Sequence, residues 1–110
     1  MAVAYIQEFP IENRSTENYD WVAEQIGSGP FDGLICHTAG FDDEDNVFRI
    51  IDVWESREHA ERFLAEHVQP LMEKGPSAFP NPDNFTPPTR DGFYELHDVV
   101  TQAATGVASP

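Results

Sequence analysis

The chain has a single cysteine, Cys36, among its 110 residues. One thiol cannot close an internal disulfide, so a reducing, cytoplasmic compartment is the simplest setting. Basic residues are scarce as well. Six Lys and Arg stand against 20 Asp and Glu, for a net charge of −14. A surface of that sign is repelled by phosphate backbones and anionic membrane surfaces, which argues against nucleic-acid and membrane partners. No apolar run approaches the ~20 residues of a membrane span. The opening Met1-Ala2-Val3-Ala4-Tyr5 lacks the basic stretch and long apolar run of a secretory signal. A glycine-rich phosphate loop and a Gly-x-Ser-x-Gly elbow are both missing. No two histidines have close ligand spacing and Cys36 has no companion, so no metal site is expected. The run Asp42 to Asn46 is acidic but lacks the glycine and final glutamate of a calcium loop, and reads as a solvated hairpin tip.

What is present is the patterning of a modest folded domain, expected over residues 1–100, with a loose tail over 101–110. Ala2 to Phe9 alternates as a first strand and stops at Pro10. Ser15 or Thr16 can cap a helix from Glu17 to Ile26, whose Tyr19, Val22, Ala23 and Ile26 fall on one stripe. Leu34 to Phe41 and Val47 to Glu55 form a hairpin across the acidic turn. The run ending Asp52-Val53-Trp54-Glu55 passes straight into a helix capped by Ser56, with Ala60, Phe63, Leu64, Val68 and Leu71 as its buried stripe. Pro70 cannot continue the hydrogen-bond ladder, so a break is expected there, followed by a short piece from Pro70 to Lys74. Gly75 to Asp91 is a proline-rich loop with Phe79 and Phe85 as candidate anchors. Gly92 to Val100 is a fourth strand.

The order β-α-β-β-α-β has a compact solution. It is an α+β, ferredoxin-like, four-stranded antiparallel sheet in the order 4-1-3-2, with both helices on one face. The other sheet face then needs cover, and a second copy packing face to face supplies it.

Asp52-Val53-Trp54-Glu55-Ser56-Arg57-Glu58, with the helix Ala60 to Leu71 after it and the strands His37 to Phe41 and Phe93 to His97, resembles the dimeric α/β-barrel superfamily. Within that superfamily the match is to small antibiotic-biosynthesis-monooxygenase-like proteins. The resemblance implies a homodimer with a cavity between sheet and helices in each subunit. It also implies cofactor-independent chemistry on an apolar or aromatic metabolite: oxygenation, cyclisation or isomerisation. Trp54 matches a motif Trp that lines the cavity in some of these enzymes. Haem-degrading relatives use an Asn on the first strand and a His on the helix after the Trp. Here Gln7 stands on the first strand, Phe63 and Leu64 fill the helix stripe, and His67 comes a turn later.

Strand alternation puts Phe48, Ile50, Asp52 and Trp54 on one face of the third strand. Asp52 is the odd residue in an apolar run. It is either a base whose pKa burial raises, or a carboxylate paired with Arg49, Arg57 or Arg90. His37, in phase with Ile35 and Ala39, and His97, in phase with Phe93 and Glu95, are candidate acids or bases or, equally, structural histidines. The strand order puts these two on opposite sheet edges. Tyr5, Gln7, His67 and Tyr94 are candidate substrate contacts beside Trp54, or sheet residues satisfied at a dimer interface. The same cavity serves a non-catalytic small-molecule-binding or sensing homodimer, and the proline-rich loop could instead dock a partner. Which sheet face meets the helices is open at this level.

Overall fold

A computed structural model describes residues 1–11 and 13–102. Four strands, β1 (Val3–Pro10), β2 (Leu34–Asp42), β3 (Val47–Trp54) and β4 (Arg90–Glu95), make one sheet in the order β2-β3-β1-β4. Every neighbouring pair is antiparallel, as the sequence pattern requires. Helix α1 (Glu17–Ile26) crosses between β1 and β2, and α2 (Arg57–Phe63) follows β3 directly. The expected tail lies, from residue 103 on, outside the described residues.

Register settles which face is inward. Val3 opposes Trp54, and Tyr5 opposes Asp52. Trp54 packs on Phe63 of α2 with ring centroids 5.1 Å apart, so the face carrying Phe48, Ile50, Asp52 and Trp54 meets the helices. The core on that side is Val3, Tyr5, Trp54 and Ala60, with Phe31, Leu34, Phe63, Leu64 and Phe93 packed around it. The opposite face carries Ala4 and Ile6, both buried, and Ile51 and Val53, both half-buried.

Local chemistry explains the joints. Ser56 Oγ accepts from the His59 N–H at 3.2 Å, the cap expected after Trp54. The hairpin tip is an Asx turn in which Asp42 Oδ1 accepts from Glu44 and Asp45 N–H groups. Asn46 closes it at φ 56°, a left-handed conformation that asparagine tolerates. Arg49 gathers Glu8, Asp42 and Asp45 around one guanidinium. The hydrogen bond from Arg49, with the Asp45 N–H as the next cause, holds the Asp42 carboxyl below its usual range, against burial, which raises it.

Five local expectations are corrected. The chain does not break at Pro70. The irregularity falls one turn earlier, as a π-helical turn, Leu64–Val68, that runs on into α3 (Gln69–Met72). The Gln69 N–H reaches back to the Leu64 carbonyl, widening the helix just ahead of the residue whose ring would crowd the preceding turn. At α1, of the two cap candidates Ser15 Oγ accepts from the Glu17 N–H at 3.3 Å, whereas Thr16 makes no side-chain cap. Its hydroxyl donates to Asp20 Oδ2 at 2.8 Å instead. Ala23, expected on the buried stripe of α1, is exposed, and Trp21 packs on Phe79 instead. A register shift between Leu34 and Cys36 places Leu34 opposite Trp54, and Ile35 falls out of phase with His37. Finally, β4 ends at Glu95, because its ladder partner β1 begins at Val3, opposite Glu95. His97 is therefore not on a strand.

The proline-rich segment carries short 3₁₀ turns, Pro76–Ala78 and Pro82–Asn84. Phe79, 5% exposed, wedges between Trp21 and Phe85. Asn18 of α1 clamps the segment through a reciprocal pair with the Asn81 backbone at 2.9 and 3.0 Å.

Candidate active site

One row of the sheet brings the polar residues together. Across the helix-facing side, His37 of β2 opposes Asp52 of β3, and Asp52 opposes Tyr5 of β1. Trp54 and Gln7 lie on the same face in the adjacent rows. The Asp52 carboxylate is nearly withdrawn from solvent, at 9% residue exposure, and its partner is not an arginine but His37. His37 Nδ1 stands 2.5 Å from Asp52 Oδ1. A carboxylate can only accept here, so Nδ1 carries the hydrogen, and Nε2 is an acceptor whenever the ring is neutral. Tyr19, from α1 above, completes a chain with its Oη 2.5 Å from His37 Nε2.

The electrostatics follow from this geometry. The hydrogen bond to Asp52 raises the His37 pKa, against burial, which lowers it. Burial, with the charges of Asp52 and Asp20, pushes the Tyr19 hydroxyl up, so it is protonated near neutrality. Burial pushes Tyr5 up strongly as well, with the Asp91 carboxylate as the next cause. Gln7 Nε2 donates to the same Asp91 at 3.4 Å. Trp54 is 1% exposed, yet its indole N–H has no hydrogen-bond partner among the described residues. A buried donor left unpaired is rare and costly, and it marks a place where an acceptor belongs.

Of the residues expected from sequence, Asp52, His37, Tyr5, Gln7 and Trp54 share this face. Three do not join them. Tyr94 projects from the opposite face of β4 and is 46% exposed. His97 lies past the end of β4, exposed. His67, on the π turn, packs edge-on to Phe31 and against Phe63. With Arg62 and His59 it rims a shallow open depression of about 130 Å³. A larger one, about 270 Å³, lies along Thr38 to Asp42 with Arg49 and Ile51. Neither touches the Asp52–His37 pair. Among the described residues no three His, Cys, Asp or Glu side chains gather as a metal would require.

Tyr19 and Asp91 are the residues that sequence reasoning missed. Tyr19 sits on an apolar helical stripe and reads as core, and only the register of β2 under α1 reveals its partner.

No family model matches the sequence, and no curated protein matches it. Among solved structures it is similar to SnoaB, a cofactor-independent oxygenase from Streptomyces nogalater. The two are 19% identical over 92% of this chain and 98% of the other, with a TM-score of 0.58. A variant of the same oxygenase aligns over the same shares at 19% identity, with a TM-score of 0.56. Identity this low speaks to architecture alone: the chain shares its ferredoxin-like α+β fold, a four-stranded antiparallel sheet with helices, with that oxygenase.

Proposed function

We propose that the chain is a small cofactor-independent oxygenase that works as a homodimer on an apolar or aromatic metabolite. The observation that carries this reading is the hydrogen-bonded line Tyr19–His37–Asp52 on the helix-facing side of the sheet, beside the unpaired indole N–H of Trp54. Oxygenation without a cofactor needs a substrate that loses a proton to give a stabilised carbanion, which then passes an electron to oxygen. The protein supplies a base and a water-poor setting. Asp52 and His37 form the base pair, with Asp52 fixing the ring and stabilising its charged form. Trp54 and Tyr5, buried beside the pair, back it from the core, and half-buried Gln7, in the row toward Phe48, is a substrate contact. Each subunit is one ferredoxin-like unit over residues 1–100, and the opposite sheet face, with Ile51 and Val53, packs on a second copy. The fold shared with a cofactor-independent oxygenase supports the reaction class. Cyclisation and isomerisation begin with the same proton transfer.

A second reading is a non-catalytic binding or sensing dimer. It is favoured by one observation: both ring nitrogens of His37 are already engaged, as in a structural histidine.

Native mass spectrometry of the protein purified from its own host separates these readings. The oxygenase reading expects a dimer holding an aromatic ligand that is converted only when oxygen is admitted. A dimer that holds its ligand unchanged under oxygen supports the sensor. A monomer without ligand contradicts both.

A further inference from the structure

The line Tyr19–His37–Asp52 has an inner and an outer end. Asp52 is buried, and its Oδ1 faces His37. Both nitrogens of His37 are taken, one by Asp52 and one by Tyr19. Neither can meet a substrate without first breaking a hydrogen bond. The Tyr19 oxygen differs. It spends its hydrogen on His37 Nε2 and still has lone pairs to accept another. Tyr19 is half-buried, and the His37 side chain is 43% exposed, so this end of the line opens toward solvent at the β2 edge of the sheet. Phe48 stands edge-on to Tyr19 at 5.3 Å, and Phe41, whose ring carries the Arg14 guanidinium at 4.4 Å, continues from Phe48 at 4.9 Å. The outer end of the line thus lies against an aromatic wall.

We propose that the Tyr19 hydroxyl, rather than the Asp52 carboxylate or the His37 ring, is the group that touches the substrate, as the outer end of a proton relay. Its partner is a flat aromatic carbon acid or phenol lying beside Phe48, with the Arg14 guanidinium on Phe41 at the far end to face its developing negative charge. The C–H or O–H bond of that substrate breaks, and its electron pair stays behind as a delocalised carbanion or phenolate. The proton joins Tyr19 Oη, and the proton that Tyr19 held moves to His37 Nε2. The resulting imidazolium is held by Asp52. Nothing is oxidised or reduced in this step, so it serves an oxygenase, a cyclase or an isomerase alike. Burial keeps Tyr19 protonated at rest, which the relay requires, since the hydroxyl must have a proton to pass on. Tyr19 is then the catalytic residue and Asp52 a positioning residue.

The inference deepens the enzymatic reading and rests on it for its biological purpose, but its test needs neither oxygen nor the natural substrate. Phenylmethanesulfonyl fluoride is incubated with the whole chain at a pH above the raised His37 pKa, where the ring is neutral, and labelled tyrosines are quantified by peptide mass spectrometry. Sulfonylation forms an O–S bond, expels fluoride and sends the phenolic proton to the neighbouring base. Tyr94, 46% exposed and with no hydrogen-bonded base among the described residues, is the internal reference. Tyr19 is expected to label roughly 100-fold faster than Tyr94, the lower end of what a positioned base contributes. His37→Gln should remove that preference and Asp52→Asn reduce it, with Tyr94 unchanged in both. Equal labelling of the two tyrosines, or a Tyr19 rate indifferent to His37→Gln, overturns the relay. Should His37→Gln not fold, nitrogen-15 shifts of wild-type His37 decide. A neutral ring protonated at Nδ1 supports the relay, and one protonated at Nε2 overturns it. A positive result without oxygen uptake on any substrate would leave the relay standing and remove the oxygenase.

Discussion

Trp54 offers the sharpest quantitative test, because the same residue carries a large packing contribution and an unpaired donor. Its side chain is 1% exposed and packs on Phe63. Trp54→Ala should therefore cost ~3–5 kcal/mol, the usual range for emptying a buried aromatic. That is a large part of the ~5–15 kcal/mol that holds a domain of this size together. Trp54→Phe behaves differently. It removes two buried carbons, worth ~1.6 kcal/mol at about 0.8 each. It also removes an N–H with no partner, whose desolvation costs the folded state ~1–3 kcal/mol. The two effects oppose, so Trp54→Phe should lie within about 1 kcal/mol of wild type. Urea unfolding followed by far-ultraviolet circular dichroism measures both variants, at fixed protein concentration because a dimer's stability depends on it. A Trp54→Phe loss of ~3 kcal/mol or more would mean that the indole N–H makes a hydrogen bond in the folded protein, and would refute the reasoning.

Two further predictions follow from the same geometry. The His37 pKa is raised by Asp52, so the pair's contribution to stability is fully present below the ordinary imidazole value, ~6.5, and is lost as pH rises through the higher folded value. The urea midpoint of wild type should fall across that window, and Asp52→Asn should flatten the fall. An NMR titration placing His37 at or below the ordinary value contradicts this. On the other sheet face, Ile51 lies between Thr38 and Ile6, so Ile51→Glu puts a charge at the middle of the proposed dimer contact. Sedimentation should report half the wild-type mass with circular dichroism unchanged, and a variant that stays dimeric removes this face as the interface.

The fold was legible where local chemistry repeats a simple period. Alternation in β1 and β3, the Ser56 cap and the acidic turn between β2 and β3 fix the element order, and short connections then leave few topologies. The inward face was not legible, because both faces of β3 are apolar: Phe48, Ile50 and Trp54 on one, Ile51 and Val53 on the other. Only the tertiary placement of Phe63 against Trp54 decides between them. The same limit hid the ends of elements. Nothing in Leu96 to Val100 says that β1 has run out, and nothing in Leu34-Ile35-Cys36 announces the register shift. For the site, Asp52 stood out because a carboxylate in an apolar strand must find a partner, and it finds His37 across the ladder. Tyr19 did not stand out, since a tyrosine on a helix stripe is chemically ordinary until a histidine stands beneath it.

On the proposed function, the line Tyr19–His37–Asp52 drives oxygenation of an aromatic carbon acid without a cofactor. Oxygen uptake by chelator-treated protein, measured with a polycyclic aromatic carbon acid as substrate, tests it most directly. Uptake matched one-to-one by oxygenated product in wild type, and abolished in His37→Gln, is the predicted result. Uptake that is absent in wild type, or that persists undiminished in His37→Gln, would contradict it.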